Sequence, residues 1–202
     1  MKKVIGFDQE FDSILNQLLN NKLSNSLLLT VNKKKNKKYF ILQIIEEYIN
    51  KKVVSSQTQH HLSLLKNNSH PNIIIAEKEI DEKTKKLKNF IVIDQIRKIN
   101  QFCTETSIIE DIPKFILIDC ADDMNINASN ALLKILEEPK LNTYFFLISH
   151  QPSSLLPTIK SRCLKINLPN HNYDNFSNIM EISNNDINEE TKKFLYDITN
   201  GS

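Results

Sequence analysis

Short apolar runs alternate with amphipathic segments along most of the chain, a pattern typical of α/β proteins. The apolar runs predict five strands, over residues 26–31, 72–76, 114–119, 143–149 and 164–168. Apolar positions at helical spacing predict helices between them, over 7–22, 39–48, 91–102, about 128–138 and 153–159. Because strands that alternate with helices pair in parallel, we expect a three-layer αβα sandwich around a central parallel five-stranded sheet.

The connections between these elements differ in composition. Residues 33–38 form a lysine-rich loop after the first strand, and residues 51–70 are polar and predicted to be irregular. The run EKEIDEKTKKLKN over residues 77–89 is typical of a solvated, mobile surface loop. In the helix predicted over 91–102, Asp94 is the expected N-cap because its side chain can accept a hydrogen bond from the first turn.

After Pro169 the apolar period changes to two helical segments, predicted over about 173–182 and 186–198. Asp186 is the expected cap of the second segment, and Gly201 follows its end. The change of pattern indicates a small helical unit after the α/β core.

Composition excludes few functions. The chain has 202 residues, 40% of them hydrophobic, which is enough for one good core. Its 26 basic and 24 acidic residues leave a net charge of +2, too small by itself to indicate nucleic-acid binding. Cys103, Cys120 and Cys163 are odd in number and widely spaced, and neither a signal peptide nor a run of about twenty apolar residues occurs. We therefore expect a cytoplasmic protein with free thiols and no membrane partner.

The most informative stretch is residues 113–163, PKFILIDCADDMNINASNALLKILEEPKLNTYFFLISHQPSSLLPTIKSRC. A strand that ends in Asp119 is followed by a helix, a second strand and the isolated Arg162. NALLKILEEP and SRC at this spacing resemble the Walker B, sensor 1 and Ser-Arg-Cys segments of bacterial clamp-loader subunits of the AAA+ class. The strongest resemblance is to the delta-prime family of DNA polymerase III, and it spans residues 4–202.

The resemblance implies a domain organisation. Residues 1–168 would form the AAA+ core with a degenerate phosphate loop, and residues 169–202 would begin the helical lid. Clamp-loader subunits continue into a helical collar that this sequence does not contain, so we expect either a fragment or a truncated descendant. The family function implied is loading of the sliding clamp onto primed DNA during replication.

The phosphate loop lacks its usual residues. Laid against GxxxxGK[ST], the sequence places Val31 and Asn36 at the two glycine positions, Lys37 at the lysine and Lys38 at the hydroxyl. A β-branched residue such as Val31 rarely adopts the positive φ that lets backbone N–H groups curl around phosphates. Cys120 stands where related ATPases carry the glutamate that polarises the attacking water. These departures predict a subunit that does not hydrolyse ATP and needs no cofactor.

Three residues remain candidates for residual nucleotide binding: Lys37, Asp119 and Ser149. Asp119 could hold magnesium or serve as a strand-end acid that hydrogen-bonds neighbouring loops. Ser149 matches the sensor 1 position, or it is a strand-end hydroxyl that bonds a loop. Asp122 and Asp123 are expected to begin the following helix, where acids are favourable.

Arg162 is the strongest site candidate. In clamp loaders the matching arginine projects into the ATP site of the neighbouring subunit, where a guanidinium suits phosphate oxygens because it is planar and always charged. Ser161 is expected to bond the loop backbone and position Arg162, whereas Cys163 begins an apolar strand and should pack in the core. The partners implied are tau/gamma-like ATPase subunits, a delta-like subunit and, through the assembly, the sliding clamp and primed DNA.

Metal binding is not expected. Many delta-prime subunits carry a four-cysteine zinc module between the first helix and the second strand, but residues 51–71 contain no cysteine. His60, His61 and His70 lie in this polar stretch and are predicted to be solvated.

Two other functions stay open at this stage. The chain could be a divergent gamma/tau-like ATPase subunit that binds nucleotide through Lys37 and Asp119. It could also be a DNA-binding module that uses the lysines of residues 33–38 and 83–88, although stacking aromatics are not interleaved with them.

Overall fold

The sheet forms as the apolar runs predict. A computed structural model describes residues 6–31, 38–170, 172–183 and 188–199. Its strands are β1 (Ser26–Val31), β2 (Ile73–Ala76), β3 (Lys114–Ile118), β4 (Thr143–Ser149) and β5 (Leu164–Leu168). All neighbours pair in parallel in the order β2-β3-β4-β1-β5, so the predicted parallel five-stranded sheet is confirmed.

Helices cover both faces of the sheet. They are α1 (Asp8–Leu19), α2 (Lys38–Lys52), α3 (Ser55–Lys66), α4 (Ile93–Thr104), α5 (Ile126–Glu137) and α6 (Pro157–Ser161), followed by α7 (Tyr173–Ser183) and α8 (Glu189–Thr199). Successive strand residues point to opposite faces, so Leu27 and Leu29 join the core under α1 to α3 while Leu28 joins the core under α4 to α6. The three-layer sandwich is therefore confirmed.

The prediction of irregular structure over residues 51–70 is wrong. Most of this segment is α3, which buries His61, Leu62 and Leu65 on one face. Only two of those three positions are apolar, so the helical period is too weak to detect in the sequence.

The expected N-cap at Asp94 is also wrong. The cap position of α4 is Val92, whose N–H donates to Oε1 of Gln95 at 3.1 Å. Asp94 lies in the first turn, where its carboxylate pairs with Arg97 at 2.8 Å and complements the helix dipole.

The charged segment over residues 77–89 is exposed as expected but has a defined backbone. Ile80 and Leu87 form an antiparallel bridge. Oδ1 of Asp81 accepts the N–H of Thr84 at 2.7 Å, which closes the turn, and Lys88 pairs with Glu79 at 2.8 Å. The predicted solvated surface loop is therefore confirmed, and these contacts give it a defined turn.

The last two helices pack on each other. The ring of Tyr196 on α8 makes edge contacts with Tyr173 and Phe176 of α7. Lys192 pairs with Glu181 and Glu189, each at 2.7 Å. Asp186 and Gly201, predicted as cap and terminator, lie outside the described residues.

No helix among the described residues is long and apolar enough to span a bilayer.

Candidate nucleotide edge and arginine loop

The parallel sheet has two chemically distinct edges. At the carboxyl edge, β3 delivers Asp119 and Cys120, and β4 ends at Ser149, followed by His150. The carboxyl ends of parallel strands are where open α/β sheets bind ligands. This register places two of the nucleotide-binding candidates, Asp119 and Ser149, at the same edge, whereas the third, Lys37, lies outside the described residues.

Asp119 lies in a half-buried position among several charges. Burial raises the pKa of its carboxyl group, while nearby Lys38 and His150 act in the opposite direction and Glu77 adds to the rise. Nζ of Lys38 donates to Glu77 at 2.5 Å. Burial lowers the pKa of Lys38, but the hydrogen bond and charge of Glu77, together with nearby Asp119, act in the opposite direction and leave that pKa raised. Lys38, at the phosphate loop's hydroxyl position, is thus a paired cation.

Cys120 adopts a left-handed backbone conformation, with φ 61° and ψ 59°. For a residue with a Cβ this costs about 1–2 kcal/mol, and such strain is concentrated at functional sites. Its Sγ lies 3.9 Å from Oδ1 of Asp119. The conformation turns the chain sharply after β3 and places the thiol beside the carboxylate.

The two acids after Cys120 do not begin the next helix. Asp122 and Asp123 lie in a one-turn 3₁₀ helix (Ala121–Asp123), and Asn125 caps α5 by accepting the N–H of Ala128 at 2.8 Å. Oδ1 of Asp122 instead accepts the N–H of His150 at 2.9 Å, and Asp123 pairs with Lys78 at 2.9 Å. Asp122 therefore ties the turn after β3 to the end of β4.

Ser149 is fully buried at the end of β4. Its Oγ has no hydrogen-bond partner within the described part of the chain. The alternative that this hydroxyl bonds a loop is therefore wrong for that part of the chain.

Arg162 lies at the opposite, amino edge of the sheet. It is the C-cap residue of α6 and lies two positions before β5, whose first residue Leu164 pairs with Leu27 near the start of β1. Its guanidinium donates from Nη2 to Oε1 of Glu137 at 2.7 Å and from Nη1 to the carbonyl of Thr158 at 2.9 Å. The side chain is 33% exposed by area, so the guanidinium is fixed by two hydrogen bonds and still accessible to solvent.

The residues beside Arg162 stabilise its loop. Pro157 occupies the first turn of α6, where its fixed φ favours helix and its missing N–H costs nothing. Oγ of Ser161 donates to the carbonyl of Thr158 at 3.0 Å. Cys163 is buried, and burial raises the pKa of its thiol to about 11. Neither Ser161 nor Cys163 is placed as a nucleophile.

The two edges are far apart. A parallel strand rises about 3.3 Å per residue, so strands of this length separate the edges by about 15–20 Å. Arg162 and Asp119 lie at opposite ends of that span. No side chain crosses such a distance, so Arg162 does not reach the carboxyl edge of its own sheet.

The histidines predicted to be solvated are largely buried. His70 is 3% exposed, and its Nδ1 accepts the N–H of Asn72 at 3.2 Å. The rings of His61 and His70 lie 5.3 Å apart. Burial, reinforced by the neighbouring histidines, lowers the pKa of His70 to about 4 and also lowers that of His61. Of the three, His60 alone is exposed.

Sequence reasoning missed His150 and Glu137. An oxygen of Asp119, the sulfur of Cys120 and a ring nitrogen of His150 all lie within 4.8 Å of one another. His150 could have been identified from its position in the sequence, since it directly follows Ser149 at the end of β4. Glu137 lies in the quoted LEEP motif, but its partner is 25 residues away and cannot be identified by spacing.

Comparisons with known proteins agree with the fold and the edge motifs. The family model described as DNA polymerase III, delta subunit, matches residues 8–172. A DNA polymerase III subunit delta' from Pseudomonas aeruginosa is 46% identical over 102 residues, covering 50% of this chain and 29% of that protein. The subunit delta' of Buchnera aphidicola subsp. Schizaphis graminum is 32% identical over 152 residues, covering 67% and 43%. The chain thus spans less than half the length of either relative.

A solved structure with the same fold is a DNA polymerase III gamma subunit-related protein from Thermotoga maritima. It matches with a TM-score of 0.55 and 21% identity, over 77% of this chain and 46% of that one. At this identity the likeness concerns the fold alone, and it confirms the expected AAA+ architecture.

Proposed function

The chain belongs to the DNA polymerase III delta subunit family, and from this premise we propose that it acts as a non-hydrolysing, delta-prime-like subunit of a clamp loader. In this role it supplies Arg162 in trans to the ATP site of a neighbouring tau/gamma-like subunit and contacts a delta-like subunit. Residues 1–168 serve as the core and residues 169–202 as the start of the lid. The assembly loads the sliding clamp onto primed DNA in the cytoplasm during replication.

The position of Arg162 carries the proposal. It lies at the amino edge, about 15–20 Å from the carboxyl edge where its own nucleotide would bind. An accessible guanidinium that cannot serve its own site is suited to serve another subunit's site. Its planar fork can bind two phosphate oxygens at once, which a lysine cannot do.

The carboxyl edge supports the non-hydrolysing role. Cys120 occupies the position of the water-polarising glutamate, and a thiol is a poor substitute for that carboxylate. Lys38 occupies the position of the magnesium-binding hydroxyl, and its charge is already paired with Glu77. These two residues leave Asp119 without the groups that usually act with it on a bound nucleotide.

The test is a clamp loader reconstituted with this subunit, extended by a collar if assembly requires one. Arg162→Ala should slow DNA-stimulated ATP turnover on the order of 10³-fold, the low end of the range for arginine fingers. Arg162→Lys should rescue poorly because a point charge does not reproduce the two-pronged contact. Lys165→Ala is the matched control, since it removes an exposed cation three residues away.

The complex must be shown to contain each variant, for example by gel filtration. Full ATP turnover in a complex that contains Arg162→Ala would exclude the finger and leave only a structural role for this subunit.

A further inference from the structure

We propose that Asp119, Cys120 and His150 form a binding site for a soft divalent metal ion such as Zn²⁺, with one coordination position open. The site goes beyond the clamp-loader role and does not depend on it. It also departs from the sequence-based expectation of no metal, which was argued from the lack of cysteine in residues 51–71.

The three ligand groups converge from two neighbouring strands. Asp119 and Cys120 follow β3, His150 follows β4, and these strands pair directly. One ligand atom from each residue lies within 4.8 Å of the other two, and Sγ of Cys120 lies 3.9 Å from Oδ1 of Asp119. Ligand atoms around one tetrahedral zinc lie about 3.3–3.6 Å apart, given the usual zinc–ligand bond lengths. Small side-chain rotations therefore close the site.

The backbone holds all three residues in place. The N–H of Asp119 donates to the carbonyl of Ala76 at 2.9 Å, which anchors it to β2. Asp122 accepts the N–H of His150 at 2.9 Å. Cys120 is held in its left-handed conformation, which turns its thiol toward Asp119. The protein thus bears a conformational cost of about 1–2 kcal/mol at one of the three proposed ligands.

The donor set selects the kind of metal. Thiolate and imidazole favour Zn²⁺, whereas Mg²⁺ prefers an octahedron of oxygens. A carboxylate and a thiolate together neutralise a divalent ion, so binding leaves no net charge at this half-buried position. Three protein ligands leave a fourth position for water or a partner's side chain. Within the described part of the chain, Lys38 is a cation that acts on Asp119, and it is itself engaged by Glu77.

Cobalt titration is the direct test, because Co²⁺ substitutes for Zn²⁺ and reports thiolate ligation by a charge-transfer absorption band. We expect one Co²⁺ per chain, displaced by Zn²⁺ but not by millimolar Mg²⁺. Cys120→Ser should abolish the thiolate band although Cys103 and Cys163 remain. Asp119→Asn and His150→Ala should each weaken Zn²⁺ binding by about 10- to 100-fold or more, measured by calorimetry.

His60→Ala is the matched control for His150→Ala, since His60 is exposed on α3 and should leave binding unchanged. Circular dichroism verifies that each variant is folded, and Asp119→Asn keeps the test valid if Cys120→Ser does not fold. The proposal is overturned by any of three results: no stoichiometric binding, a thiolate band that persists in Cys120→Ser, or equal losses in His60→Ala and His150→Ala.

Discussion

The two edges of the sheet use polar side chains in different ways. At the amino edge, buried polar groups donate to carbonyls of the same chain. Nδ2 of Asn72 lies 2.6–2.9 Å from three acceptors in the loop over residues 107–112, and Asn25 donates to the carbonyl of Thr143 at 2.9 Å. The ammonium of Lys114 donates to two carbonyls at the end of α4, where the helix dipole favours a cation.

At the carboxyl edge the polar groups instead gather around one point. Asp119, Cys120 and His150 face one another, and the hydroxyl of Ser149 is buried without a hydrogen-bond partner in the described residues. This is the contrast that the proposed metal site predicts: polar groups of the amino edge mainly stabilise the fold, although Oδ1 of Asn72 also lacks a hydrogen-bond partner in the described residues, and those of the carboxyl edge bind a ligand. Arg162 is the exception at the amino edge, because a third of its side chain stays accessible.

Truncating one polar side chain at each edge tests this contrast most strongly. Asn72→Ala should lower the free energy of unfolding by about 3 kcal/mol, because it removes the donor to Ser107, Ile109 and Ile112 and leaves the buried carbonyl of Ile112 without this hydrogen bond. Ser149→Ala should change it by less than about 1 kcal/mol, since no hydrogen bond is lost. Urea denaturation at pH 7 measures both. Equal losses would contradict the division between the edges.

Acid should destabilise the protein through His70. Its pKa is lowered to about 4 in the folded state, so between pH 6.5 and 4 the unfolded chain binds more protons and stability falls as pH falls. At pH 4.5 the loss relative to pH 7 is about 2 kcal/mol from this group. The groups that face His70 are His61 and His60, both basic, so no carboxylate offsets the effect.

His70→Asn isolates this contribution, because its Oδ1 can accept the same N–H of Asn72 without titrating. The difference in unfolding free energy between the two proteins should shrink by about 2 kcal/mol from pH 7 to pH 4.5. His60→Ala should change the pH profile much less, because His60 is the smallest of the causes that lower the pKa of His70. A parallel pH dependence of wild type and His70→Asn would disprove the assignment.

The sequence predicted the sheet better than the segments around it. The bounds of β1, β4 and β5 match the apolar runs residue for residue, because a continuous apolar run has few other stable uses. The helix α3 was missed because one of its three buried positions is His61, which looks polar in the sequence but packs 5.3 Å from the buried ring of His70. Local pattern cannot show that tertiary contact.

The sequence could predict the position of a site residue only where that residue ends a single strand. Asp119 and Ser149 could be placed because each ends an apolar run. The contact of Cys120 with His150 and the pair of Arg162 with Glu137 join residues 30 and 25 positions apart, and they depend on strand order rather than on spacing. The structured turn over residues 77–89 was missed for a similar reason, since side-chain contacts of Asp81 and Lys88 hold it.

Arg162 should contribute little to the stability of its own subunit. Its ion pair with Glu137 is partly exposed, 33% and 49% by side-chain area, and such surface pairs contribute about 0–1 kcal/mol. Arg162→Ala should therefore lower the unfolding free energy by less than about 1 kcal/mol, and Glu137→Gln by a similar amount. A loss above about 2 kcal/mol in urea denaturation would assign the arginine a structural role at the amino edge.

The smallest expected effect concerns nucleotide at the carboxyl edge. ATP with Mg²⁺ should show no saturable binding below millimolar concentration and no hydrolysis, because the glycine cradle and the water-polarising glutamate are absent from the sequence. Asp119→Asn should then leave the calorimetric titration unchanged, since its carboxylate has no magnesium–nucleotide complex to hold. Micromolar binding that Asp119→Asn abolishes would favour the divergent ATPase instead. It would also mean that the carboxyl edge binds a nucleotide rather than a metal ion alone, because Asp119 would then coordinate the magnesium ion of ATP.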